Sequence, residues 1–131
     1  MRKFPKHTQG TECEGCNERL KDAHILLQSF FSIIKDKHPS VHISWVYRDE
    51  ESQKKAVELG ASKLPFPKSK HNKLPAEAID IFQINENGKA VFDPGFCRMI
   101  FKESEQLGFK FTWGGSFKSL GDYGHFELSE N

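Results

Sequence analysis

Residues 41–48, Val-His-Ile-Ser-Trp-Val-Tyr-Arg, alternate in character along the segment. That two-residue period is the period of a β-strand. It predicts Val41, Ile43, Trp45 and Tyr47 on one face, and His42, Ser44, Val46 and Arg48 on the other. A second segment, Ala78 to Gln83, reads the same way, with Ile79 and Ile81 opposite Asp80 and Phe82. Strands of this kind are half-buried, so helices should cover one face and leave the other polar and concave.

The helices are predicted around the strands. Thr11-Glu12-Cys13-Glu14 has the spacing of a capping box, and Leu20, Ala23, Leu27, Phe30 or Phe31, and Ile34 follow at helical intervals. Lys35, Lys37 and His38 suit the negative end of that helix, and Pro39 stops it. Asp49 can cap a short helix that ends at Gly60. Asp93-Pro94 opens another, with Phe96, Ile100 and Leu107 on its buried face and Gly108 as its stop. Asn87-Gly88 is a hairpin signal that returns residues 89–92 antiparallel to the preceding strand. Phe109 to Trp113 and Gly124 to Leu128 complete the strands. The fold expected is α+β: an antiparallel sheet with helices on one face. A polar arm covers residues 1–10 and a single domain covers residues 11–131.

The chain has 131 residues and a formal net charge of +1, so bulk charge gives no reason to expect a nucleic-acid partner. The most apolar stretch, Leu26 to Ile34, is interrupted by Gln28 and Ser29 and is too short to span a bilayer. The basic start lacks the apolar region of a secretory signal, so synthesis in the cytoplasm is expected. Nothing asks for an oligomer, and a monomer is expected. Of the three cysteines, Cys13 and Cys16 form a lone C-x-x-C, with Cys97 far away. They read first as ordinary residues at the start of a helix. A disulfide and an accessory metal site are the alternatives.

Four residues suggest chemistry: His71, Asp80, His125 and Asp122. Two imidazoles and a carboxylate can hold a zinc ion, leaving one position for water. A further carboxylate three residues before the last histidine can move protons. Arg48, Asp80 and His125 fall on three strands, each on the face opposite the aliphatic residues, where they can meet. Zinc would lower the pKa of its water to roughly 7, Asp122 would take the proton, and Arg48 would stabilise charge on the carbonyl oxygen. Simpler readings stand beside this one. A strand histidine is commonly a hydrogen-bonded structural residue, Arg48 can pair with Asp49 or Glu51, and Asp122 suits any turn. Asp80 fits a bland reading least, because a half-buried carboxylate needs a partner. Lys63, Lys68, Lys70 and Lys73 form a solvated loop face or attract an acidic substrate.

The ordered set Arg48, Gln53, Ser69-x-His71, Ala78-x-Asp80, Trp113-Gly114-Gly115 and Asp122-x-x-His125-Phe126-Glu127 resembles the zinc peptidases of the D-Ala-D-Ala carboxypeptidase and VanY/VanX group. Within that group it is most similar to small phage endolysins that cut the L-alanyl-D-glutamate bond of peptidoglycan. The resemblance runs over residues 41–129. It implies a DD-peptidase/Hedgehog-like fold and one Zn2+ per chain held by His71, Asp80 and His125. It implies Asp122 as catalytic base, Arg48 steadying the carbonyl, and Ser69, Gln53 and Trp113 on the substrate side. It also implies a peptidoglycan peptide as substrate and a phage or prophage enzyme acting on the wall after release. The alternatives are a D,D-carboxypeptidase or dipeptidase trimming D-Ala, and a non-catalytic, zinc-stabilised binding module. The chain departs from the pattern in three places. Asp80 follows His71 by nine positions where seven is usual, Leu74-Pro75-Ala76 replaces an internal glycine, and Val46 stands where a glycine usually lies two positions before the arginine. Phe117 occupies the aromatic position after the glycine pair.

Overall fold

The computed structural model describes residues 3–116 and 122–129. Phe117 lies outside them. The elements are α1 (Glu14–Leu20), α2 (Ile25–Lys37), β1 (Val41–Trp45), α3 (Glu50–Glu58), β2 (Ala78–Ile84), β3 (Ala90–Val91), α4 (Pro94–Gln106), β4 (Phe111–Trp113) and β5 (His125–Leu128). Single turns of 3-10 helix occur at Lys70–Asn72 and Gly114–Ser116. The strands form one antiparallel sheet in the order β1-β2-β5-β4. β3 pairs with the far end of β2, on the edge where β5 pairs with its beginning. The fold is α+β, as the alternation predicts.

Helix caps fall where short polar side chains precede helical runs. The Asp49 carboxylate accepts from the Ser52 amide at 2.8 Å, and Asp93 accepts from Gly95 at 2.9 Å with Pro94 in the first turn. Gly60, Gly88 and Gly108 have positive φ at the two helix stops and the hairpin, where a side chain would be strained.

The first helix differs from expectation. Its N-cap is Cys13, whose sulfur accepts from the Cys16 amide, not Thr11. The helical run then breaks between Leu20 and Ile25, and His24 caps α2 through its ring. The cause is tertiary. Ala23 bridges Ala76, the His24 amide donates to the Ala76 carbonyl at 2.8 Å, and the Ala76 amide donates to Asp22 at 2.7 Å. Those bonds need extended backbone where local periodicity favours helix.

β1 also ends early. A register shift between Ile43 and Trp45 reverses the alternation, so Trp45 is 37 % exposed while Val46 is buried. On α4, Cys97 and Ile100 are buried, but Leu107 at the C-cap is exposed.

The core lies between the helices and one sheet face. Phe30 of α2 is fully buried, with ring centroids 4.9 Å from Phe111 and 5.8 Å from Phe126. Phe101 of α4 stacks on Trp113 at 5.3 Å. Leu27, Ile34, Ile43, Ile79 and Ile100 fill the remainder. Each such side chain contributes about 1.5–3 kcal/mol by leaving water. The opposite face carries His42 beside Phe82 and Asp80 beside His125, each pair in register across neighbouring strands. Among the described residues no helix is long and apolar enough to cross a membrane.

Candidate metal centre

Three elements bring the predicted donors together. Asp80 is on β2, and His125 is its direct partner on β5. Facing residues on antiparallel strands share one side of the sheet about 4.5–5.5 Å apart at Cβ. His71 comes from the loop between α3 and β2, held by the Lys70–Asn72 turn. Ser69 caps that turn by accepting from the His71 amide, and the Asn72 side chain accepts the Ser69 amide at 3.0 Å. The Arg48 amide donates to the His71 carbonyl at 2.8 Å, fixing the loop against the end of β1.

The donor atoms converge. His71 Nε2 is 3.1 Å, and His125 Nδ1 2.9 Å, from Asp80 Oδ1. All three ligating atoms lie within 4.8 Å of one another. Donors about 2.0–2.1 Å from a tetrahedral zinc stand roughly 3.3 Å apart, so the set needs only a small expansion to hold the ion.

The outer nitrogens are anchored as a metal centre requires. His71 Nδ1 donates to the Val46 carbonyl at 2.7 Å, which orients the ring and leaves Nε2 toward Asp80. His125 Nε2 lies 2.7 Å from Glu127 Oε1, which orients the ring and leaves Nδ1 toward Asp80. Asp80 Oδ2 accepts from Arg48 Nη2 at 3.1 Å. Each donor therefore has a second partner that fixes its direction. These residues fit a zinc ion.

The electrostatics follow. Burial alone would raise the Asp80 carboxyl, but His71 and His125 hold it well below the usual carboxylate range. Burial lowers His125, yet the hydrogen bonds it donates to Asp80 and Glu127 outweigh it and push the imidazole up to about 10. A metal taken up here must displace that proton. Asp122 is raised, first by burial and then by the Asp80 charge. Its Oδ2 sits 4.0 Å from His125 Nδ1, close to the donors without joining them.

Arg48, Ser69, His71, Asp122, His125 and Glu127 line a cleft of about 230 Å³, together with Lys63, Lys68 and Lys70. A larger cleft, about 580 Å³, runs past Trp45 and Leu74 but holds none of the three donors. Gln53 and Trp113 are not at the cleft surface. Gln53 is fully buried: its Oε1 accepts from Arg48 Nη1 and Asn72 Nδ2, and its Nε2 donates to Ser62 Oγ and the Leu64 carbonyl. Trp113 is buried in the core, and its Nε1 donates to the Tyr123 carbonyl at 2.6 Å. Both hold the walls from behind, because their polar atoms are used up on backbone and neighbours. Gly114 and Gly115 are required by close approach. A Cβ on Gly114 would stand 2.1 Å from the Asp122 carbonyl oxygen, and one on Gly115 would stand 2.2 Å from the Trp113 ring.

The chain matches a solved structure, the L-Ala D-Glu endopeptidase ChiX of Serratia marcescens, with a TM-score of 0.70. The match covers 87% of this chain and 86% of that one, at 23% sequence identity. The two proteins share a fold. No family model and no curated protein matches the sequence.

Two contributors to the cleft act otherwise than the sequence suggests, Glu127 having no stated role there and Lys70 only that of a loop-face charge. Glu127 orients His125, and Lys70 Nζ lies 3.4 Å from Glu127 Oε2 and also donates to the Leu128 carbonyl. The signal for Glu127 is its spacing: two residues beyond His125 on a strand places it on the same face.

Proposed function

We propose that this protein is a zinc-dependent peptidase that hydrolyses an amide bond in peptidoglycan stem peptides, of the endolysin-type L-alanyl-D-glutamate class. The observation that carries this reading is the convergence of His71 Nε2, Asp80 Oδ1 and His125 Nδ1 beside a cleft lined by His71, His125 and Asp122. The fold held in common with an endopeptidase acting on that bond supports the choice of substrate.

When bound by these three side chains, zinc supplies Lewis acidity, polarising a carbonyl oxygen and making water a stronger acid. Asp122 accepts the proton of the attacking water and returns it to the departing amine. Arg48 adds fixed positive charge to the cleft wall, held before substrate arrives by Gln53 and Asp80. Ser69 keeps the His71 turn in place. Lys63 and Lys68 on the rim favour a peptide bearing free carboxylates.

The test is digestion of purified cell walls of known composition, with released fragments identified by mass spectrometry. New alanine and glutamate termini are expected. Release of D-alanine alone would replace this reading with a carboxypeptidase. Zinc binding without any fragment would replace it with a binding module. Metal analysis of His71→Ala should reveal lowered zinc content; unchanged stoichiometry would remove His71 from the centre.

A further inference from the structure

A second cluster lies on the same sheet face, at the His42 end. His7 from the N-terminal arm, Cys13 and Cys16 from the start of α1, and His42 from β1 bring four ligating atoms within 4.8 Å of one another. It shares no residue with the cleft. We propose that these four side chains form a structural zinc site of Cys2His2 composition, distinct from the metal centre of the cleft, that fastens the N-terminal arm and α1 to the sheet.

The spacing of the donors fits a tetrahedron. His7 Nδ1 is 3.4 Å from Cys13 Sγ and 3.5 Å from Cys16 Sγ, and His42 Nδ1 is 3.4 Å from Cys16 Sγ. With Zn–S near 2.3 Å and Zn–N near 2.0–2.1 Å, neighbouring sulfur and nitrogen ligands stand about 3.6 Å apart. Both cysteines are free thiols, and both are buried, as is His42. Two thiolates and two neutral imidazoles balance a divalent ion, and soft sulfur donors in this geometry select zinc over harder cations.

The surroundings fit thiolates. Three backbone amides point at the two sulfurs: Thr8 and Cys16 at Cys13 Sγ, at 3.3 and 3.4 Å, and Ile43 at Cys16 Sγ, at 3.3 Å. Such donors stabilise sulfur that carries negative charge, and they hold ligands in direction. His42 turns its other nitrogen toward Lys35, whose ammonium is already bound by the Pro39 and Val41 carbonyls at 2.6 and 2.7 Å. Nδ1 is thereby left facing Cys16.

Gly15 makes the approach possible. A Cβ there would meet the Pro5 carbonyl oxygen at 2.8 Å and the Lys6 oxygen at 3.0 Å. The arm can thus lie on the Cys-Glu-Gly-Cys turn and deliver His7, whose ring then packs edge-on against His42 and Phe82. Four protein donors would leave no open position, as suits a structural rather than a catalytic ion.

Cobalt(II) tests this without reference to activity. The reduced, metal-stripped full chain is loaded with Co2+ and its absorption recorded. A near-ultraviolet sulfur-to-cobalt charge-transfer band is expected in the wild type and in His71→Ala, and its loss in Cys16→Ser. Cys97→Ser should retain the band. Zinc analysis should give two ions per chain in the wild type and one in His71→Ala. No band in reduced wild-type protein would overturn the proposal and leave a hydrogen-bonded cluster. That measurement needs no variant to fold. A failure of the peptidase reading alone would leave the band intact.

Discussion

Arg48 holds Asp80 by one carboxylate oxygen and so turns the other toward two histidines: Nη2 is 3.1 Å from Oδ2, while Oδ1 lies within 3.1 Å of both His71 and His125. The guanidinium is buried and also held by Gln53, and its Nε has no hydrogen-bond partner among the described residues. Removing it leaves a buried carboxylate with less compensation. We expect Arg48→Ala to weaken zinc binding by roughly 10–100-fold, as loss of an outer-shell partner commonly does. Competition titration with a chromogenic chelator reads this directly, and unchanged affinity would confine Arg48 to the cleft wall.

Glu127 performs the same service for His125. Glu127→Ala should also lower zinc affinity by about 10–100-fold, with Glu127→Gln less affected because the amide oxygen can still accept. If both variants bind as tightly as wild type, the ring is oriented by Asp80 alone.

Asp122 stands apart from the ligands, so its loss should separate binding from turnover. Asp122→Ala is expected to keep its zinc and lose about 10²–10⁴-fold in kcat/KM on solubilised peptidoglycan. Retained cleavage would mean that another group moves the proton.

Gly114 is fixed by space. A methyl group would collide with the Asp122 carbonyl and crowd His125 Cβ at 2.9 Å. Gly114→Ala should cost about 1–3 kcal/mol in urea denaturation and reduce zinc affinity together with stability. Wild-type stability in this variant would imply that the Asp122 segment shifts freely.

A pH dependence of folding is expected where α2 meets α4. Glu103 lies 3.0 Å from both Lys37 Nζ and His38 Nε2. Burial raises its carboxyl, but these two partners outweigh it and hold the group below its ordinary value of 4.5. The folded state therefore binds this proton less readily than the unfolded chain. The stabilisation is present above about pH 4.5 and is lost as the pH falls through the depressed folded value. Glu103→Gln should lower stability by about 0.5–1 kcal/mol near pH 7 and by little near pH 3. Chemical denaturation at the two pH values measures the difference, and a gap independent of pH would dismiss the pairing.

What could be read in the sequence was local. Asp49, Asp93-Pro94, Gly60, Asn87-Gly88 and Gly108 act through their own backbone neighbourhoods, and their elements formed where expected. The break at Leu20–Ile25 was hidden because its cause, Ala76, lies more than fifty residues on. The fate of Trp45 was hidden because a register shift changes side-chain faces without changing composition. His71, Asp80 and His125 stood out as a motif, and Glu127 was legible from strand period alone. The His7, Cys13, Cys16 and His42 cluster was not, because His7 joins it only when the arm folds back over Gly15.

The sheet order has a consequence for assembly. β5, the last strand among the described residues, inserts between β2 and β4 and carries His125. Until it does so, β2 and β4 are not joined in one sheet and Asp80 lacks its cross-strand imidazole. Completion of the donor set thus coincides with closure of the sheet, so a polypeptide cut before His125 would lack both the closed sheet and the third donor.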